Sequence, residues 1–268
     1  MNPRPPHISH AAGRGACPAP PQRGQQAPQP APCNYELAGD AVHVVLPATH
    51  GPGWRGGALV FLHGHGMDQT QLSQRTGLAA RATAEGWLAA SALLGGPRHW
   101  NNDEALHAAA RLLADLPARF GVDPERVGLV GFSMGGGTAL AVAANPLALP
   151  YRVAAVASSQ GVVEPGGLAA SYRRSWLDAF GRDRRAASSP ARSALTLAAH
   201  LRHVALYLEH GEADTVVPPA QTQALAAELE RLGISATVRF HPGASHAEAT
   251  IDEAAIIAFL RPHLSPPG

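Results

Sequence analysis

From residue 35 onward, short apolar runs alternate with longer stretches in which apolar positions recur every three or four residues. The runs cover residues 41–46 (AVHVVL), 58–62 (ALVFL), 87–93 (WLAASAL), 127–130, 153–157, 204–208 (VALYL) and 237–240. Their short, continuously apolar character predicts strands. The periodic stretches, 71–85, 103–120, 134–145, 219–232 and 252–264, predict helices, with Gly233 standing where a glycine ends the fourth. Strands that are apolar throughout, interleaved with helices, predict an α/β domain: a mostly parallel sheet with helices on both faces. In such sheets, chemistry collects at the carboxyl ends of the strands.

Residues 1–33 break this rhythm. They are rich in Pro, Gly and Gln and are expected to form a disordered extension, because they offer too little apolar surface to offset the entropy of ordering. Residues 34–268 are then a single domain. The formal net charge of +1 gives no basic excess for an extended nucleic-acid or anionic-membrane surface. The leader lacks the apolar segment of a secretory signal, and no later run is long enough to span a membrane, so a cytoplasmic location is expected by default. The two cysteines, Cys17 and Cys33, are too few for a disulfide framework, although they can pair with each other.

The run ending at Val130 leads into Gly131, Phe132, Ser133, Met134 and Gly135 and then a helix, a G-x-S-x-G pattern in a strand–turn–helix setting. A turn that sharp strains the serine backbone and leaves no room for neighbouring side chains, which accounts for the glycines. The serine hydroxyl would sit at a helix amino end, where unpaired N–H groups favour negative charge. A serine-capped helix start or a phosphate loop would also be glycine-rich. A Walker loop needs a lysine, and the chain has none.

A serine nucleophile needs a base, and the base needs an orienting group. Asp214 follows the run 204–208, in EHGEADTVVP, and His246 follows the run ending at Phe240, in HPGASH. Both stand in loops at strand carboxyl ends, and the order Ser133, Asp214, His246 is that of α/β-hydrolases. Glu212 competes for the acid role, and His210 and His241 for the base. An oxyanion hole would take the backbone N–H of Met134 and one from FLHGHGMD, where His65 is the expected donor with Gly66 behind it.

The segments LHGHGMD, GFSMGG, HGEADTVVP and HPGASH resemble those of the serine α/β-hydrolases. They are most similar to the phospholipase/carboxylesterase branch and to the dienelactone-hydrolase and prolyl-oligopeptidase-like esterases. The resemblance covers residues 58–264 and implies the α/β-hydrolase fold, a triad of Ser133, Asp214 and His246, and an oxyanion hole at His65 and Met134. A dienelactone hydrolase proper would carry cysteine as nucleophile, where this chain has serine. The segment GGPRHWNND is similar to one bordering the active site in the first branch, which implies that Trp100 walls the pocket; a Trp that only packs a loop is the alternative.

Residues 159–203 are longer than a plain strand connection needs. There Trp176, Leu177 and Phe180 would form the underside of a small helical cap over the substrate, or else a surface helix that completes the core. The implied activity is cleavage of small-molecule carboxylic esters through an acyl-enzyme, with no cofactor. A thioesterase, peptidase or acyltransferase would use the same triad. Two readings outside this class are a metallohydrolase using His63 and His65 with Asp68 nearby, and a non-catalytic binding protein on the same fold.

Overall fold

In a computed structural model, residues 32–145, 152–181 and 190–266 are described. Strands β3 (Ala58–Leu62) and β4 (Leu88–Ala92) bury all five of their residues, as strands covered on both faces must. With β2 (Asp40–Val45), β5 (Val127–Phe132), β6 (Val153–Ser159), β7 (Ala205–Gly211) and β8 (Thr237–His241) they account for the seven predicted runs. The sheet order is β1-β2-β4-β3-β5-β6-β7-β8, and every pairing from β4 through β8 is parallel.

Strand β1 (Cys33–Leu37) was not expected. It pairs antiparallel with β2 through a two-residue turn, Ala38 and Gly39, in which both residues have positive φ. The ordered domain therefore begins one residue earlier than the composition suggested. Cys33 is buried in this strand and disulfide-bonded, so the pairing the sequence left open for it is made. Residues 1–31, the bulk of the expected extension and the site of Cys17, lie outside the described residues.

Six helices follow the five predicted stretches, because one stretch is divided. Residues 71–85 form two helices, α1 (Gln71–Gln74) and α2 (Leu78–Ala84). The break falls where Thr76 Oγ1 donates to Leu72 O at 2.6 Å and the Gly77 N–H donates to Glu253 Oε1, also at 2.6 Å. Helix α3 (Asp103–Phe120) matches its expected span, started by the Asn102 side chain accepting from the Ala105 N–H and stopped by Gly121 at φ 76°. Helices α4 (Met134–Ala144), α6 (Ala220–Arg231) and α7 (Glu253–Leu264) fall within a residue or so of expectation.

Alternation along each strand feeds two apolar layers. Val60 and Leu62 join α3, α4 and α6 on one face; Leu59 and Phe61 join α2 and α7 on the other. Between β6 and β7 the chain forms a short turn at Pro165–Leu168, helix α5 (Arg173–Phe180), and further turns at Pro190–Arg192 and Ala198–His203. Trp176 faces inward from α5, but Leu177 is 50% exposed and does not join the apolar underside expected of it. Residues 176 and 177 point about 100° apart on a helix, so they cannot share one narrow face. Among the described residues, no helix is long and apolar enough to cross a membrane.

Candidate active site

Strand β5 lies between β3 and β6, and its carboxyl end turns at Ser133 directly into α4. Ser133 has φ 57° and ψ −122°, a conformation that costs a non-glycine residue about 1–3 kcal/mol. The turn is tight because β5 and α4 almost touch. A Cβ on Gly131 would lie 2.1 Å from Gly135 O, and one on Gly135 would lie 1.9 Å from Leu62 O. Four backbone bonds pin the serine: its N–H donates to Ser159 O, and its carbonyl accepts from the Gly136 and Val162 N–H groups, each at 3.0 Å, and from the Gly137 N–H at 3.3 Å.

The loops after β7 and β8 bring two side chains to this turn. Asp214 Oδ1 accepts from the Val216 and Val217 N–H groups at 2.8 and 2.9 Å, which fixes the carboxylate within its own loop. Its other oxygen, Oδ2, lies 2.6 Å from His246 Nδ1, and His246 Nε2 lies 2.9 Å from Ser133 Oγ. The Phe132 ring packs on the imidazole at 5.0 Å between centroids. Asp214 is buried and Ser133 is 7% exposed, so the relay is shielded while its histidine still reaches the surface.

The competing groups have other partners. Glu212 is exposed. His241 Nε2 lies 3.2 Å from the buried Glu209 carboxylate. His210 approaches the far side of Asp214, with Nε2 3.2 Å from Oδ2. It is therefore a neighbour of the acid.

Met134 is the first residue of α4, so helix geometry gives its N–H no partner. The Gly66 N–H is taken by Pro97 O at 2.7 Å, whereas the His65 N–H has no hydrogen-bond partner among the described residues. Of the two loop donors, His65 is the one left to meet an anion. The His65 ring lies between Trp100 and Tyr172, at 5.2 and 5.0 Å, and its Nε2 is 2.8 Å from Ser175 Oγ. Burial lowers its pKa, with Arg98 and His63 nearby adding to the effect, which favours the neutral imidazole.

Trp100, Trp176 and Phe180 come together as one aromatic cluster. Trp100 stacks on Trp176 at 5.6 Å, Trp176 meets Phe180 at 4.8 Å, and the Trp100 indole N–H donates to Ser175 Oγ. Met134 and Val217 belong to the same apolar group, which joins the segment 159–203 to the rim of the site. Trp100 is only 1% exposed; Tyr172 and Phe180 keep more open surface. Tyr172, Ser175 and Gln160 were not singled out from the sequence. Ser175 lies in the aromatic helix itself and Tyr172 caps its start, but nothing in the local pattern around Gln160 marks it.

His63 and Asp68 are engaged elsewhere. Both His63 nitrogens lie 2.9 Å from backbone carbonyls, of Gly64 and Leu93, while Asp68 Oδ1 accepts from Thr70. With His65 turned to Ser175, the three side chains do not converge, and no group of three or more potential metal ligands occurs among the described residues.

Residues 100–265 match the model of the prolyl oligopeptidase family, Peptidase_S9. No curated protein sequence matches the chain. Among solved structures, a puromycin-hydrolysing peptidase of Mycobacterium tuberculosis is similar at 22% identity and TM-score 0.68, over 88% of this chain and 40% of that one. Dipeptidyl peptidase 4 of Porphyromonas gingivalis is similar at 18% identity and TM-score 0.69, over 84% of this chain and 34% of that one. A thermostable esterase of Pseudomonas putida is similar at 18% identity and TM-score 0.68, over 88% and 83%. The chain thus spans well under half the length of the two peptidases. At these identities the likeness is one of fold.

Proposed function

The chain belongs to the prolyl oligopeptidase family of serine α/β-hydrolases, and from that premise we propose that it cleaves carboxylic esters through an acyl-enzyme formed on Ser133. The observation that carries the reading is the unbroken relay from Ser133 Oγ to His246 Nε2, 2.9 Å, and from His246 Nδ1 to Asp214 Oδ2, 2.6 Å. A carboxylate can only accept at Nδ1, so Nδ1 bears the proton and Nε2 is free to take one from the serine.

His246 removes the Ser133 proton as Oγ bonds to the ester carbon and the carbonyl π electrons move to oxygen. The resulting oxyanion lies against the N–H groups of Met134 and His65. Collapse of this intermediate expels the alcohol, which takes its proton from His246. Water then surrenders a proton to His246 and attacks the acyl-enzyme; collapse releases the acid and returns the proton to Ser133. Asp214 holds the imidazole in register and stabilises its cationic form at both stages. We assign the acyl group to the aromatic side of the site. Tyr172 and Phe180 have surface to offer there, and Trp100 and Trp176 back them from within.

Peptide cleavage by the same relay is the second reading, favoured by the family match over residues 100–265. A panel of p-nitrophenyl esters run beside aminoacyl p-nitroanilides separates the two. Turnover of esters alone supports the esterase reading, and faster turnover of the anilides replaces it. Ser133→Ala should abolish both activities and also reaction with a fluorophosphonate probe. Retained turnover in that variant would remove Ser133 from the mechanism.

A further inference from the structure

We propose that Gln160 is a positioning residue whose side-chain amide ties the loop of the acid to the loop of the base. The inference rests on the reading of Ser133, Asp214 and His246 as a triad. Gln160 follows the last residue of β6 and is wholly buried, with φ 49°. A buried primary amide must find partners; one end of this one faces Ala247 O, 3.3 Å away, and the other, beside His246 Nδ1 at 3.2 Å, faces two groups that can only accept, Asp214 Oδ2 and Ser245 O. The NH2 group therefore points toward them, donating to Asp214 Oδ2 at 3.0 Å and to Ser245 O at 3.2 Å. One side chain thus bridges the carboxylate oxygen that orients His246 and the carbonyl immediately before His246.

The backbone around Gln160 completes the link. The Gln160 N–H donates to Glu209 O at 2.8 Å, on the strand that leads to Asp214. Ser159 O accepts from the Ser133 N–H, and the Val162 N–H donates to Ser133 O. Between them Gly161 leaves no slack, since a Cβ there would lie 2.1 Å from Ser158 Oγ. Residues 159–162 consequently touch the loops of nucleophile, acid and base together. Glycine would satisfy the left-handed backbone at position 160 without strain, so the amide, and not the turn, explains a glutamine there.

The test compares Gln160→Met, which keeps the length and loses the donors, with Gln160→Gly, which relieves the backbone and keeps its hydrogen bonds. Each is measured on the p-nitrophenyl ester that the wild type turns over fastest, beside a thermal melt. Both should melt cooperatively and lose kcat by about 10- to 100-fold, the scale of losing an outer orienting partner, with KM unchanged. Combined with Asp214→Asn, either should add little further loss, because the two act through one carboxylate. Wild-type kcat in either variant, or losses that multiply with Asp214→Asn, would overturn the proposal. Should neither variant fold, hydrogen exchange in the wild-type protein decides. A slowly exchanging Gln160 side-chain amide supports the bridge, and free exchange removes it. Full activity in Ser133→Ala would instead sink the triad reading on which the bridge rests.

Discussion

His210 Nε2 lies 3.2 Å from Asp214 Oδ2, the oxygen that His246 Nδ1 approaches at 2.6 Å from the other side. Nε2 is also 2.9 Å from Val217 O, so it carries a proton, and Nδ1 is left to accept from the Thr222 hydroxyl at 2.7 Å. Burial, helped by His246 nearby, lowers the His210 pKa more than Val217 and Asp214 raise it, which favours the neutral ring as a brace for the acid loop. His210→Leu should strand the Val217 carbonyl and the Thr222 hydroxyl. The expected cost is about 1–3 kcal/mol of stability, read from urea unfolding. The expected loss in kcat exceeds that of Thr222→Val, which disturbs the brace at its far end. Equal kcat in His210→Leu and wild type would show that Asp214 holds its place unaided.

The β5–α4 junction tolerates no side chain at its glycines. In Gly135→Ala the added methyl would meet Leu62 O at 1.9 Å, a backbone atom that cannot swing aside. The variant should lose at least about 1–3 kcal/mol, the usual penalty of overpacking, and should no longer react with a fluorophosphonate. Ordinary labelling rates in a folded Gly135→Ala protein would mean that the turn can open without harm.

Much of this was legible in the sequence because the physics was local. The glycines around Ser133 announce a turn with no space, the apolar spacing of 103–120 announces α3, and Asp214 and His246 each stand just beyond an apolar run. Strand β1 was not legible: CNYEL is an edge strand whose outward residues are polar, and it follows a Pro-rich leader without an apolar signal. The break at 75–77 depends on Glu253, and the inward side of α5 depends on its contact with Trp100; both partners are remote in sequence. Gln160 escaped for the same reason, and His210 was weighed only as a rival base, since their roles exist only once β6, β7 and β8 lie side by side.

Ser133 combines the nucleophile with a strained backbone, and the two can be separated. Ser133→Gly removes the cost of holding φ 57° and ψ −122°, whereas Ser133→Ala retains it. Ser133→Gly should therefore be the more stable of the two inactive variants, by up to about 1–3 kcal/mol of relieved strain less the entropy glycine adds to the unfolded chain. Denaturant midpoints compare them directly. A glycine variant weaker than the alanine variant would show that the turn is held without strain.

The last expectation concerns acid. His99 is buried, its Nδ1 accepts from the Asn101 N–H at 3.3 Å, and its Nε2 has no hydrogen-bond partner among the described residues. Burial pushes its pKa well below the ordinary imidazole value, and His63 and His65 push the same way. The unfolded chain protonates this histidine near pH 6.5, where the folded chain does not. Its contribution is therefore fully present above that pH and is lost as the pH falls toward the folded value. The slope for one proton is about 1.4 kcal/mol per pH unit. His43 and His210, whose pKa values burial also lowers, add to the same trend. His99→Phe keeps a ring against His63, which it meets edge-on at 5.1 Å, and removes the titrating group. Urea unfolding between pH 7 and pH 5 should show a shallower loss of stability in the variant, by up to one proton's slope. Parallel curves for variant and wild type would mean that His99 takes up its proton in the folded state as readily as in the unfolded chain.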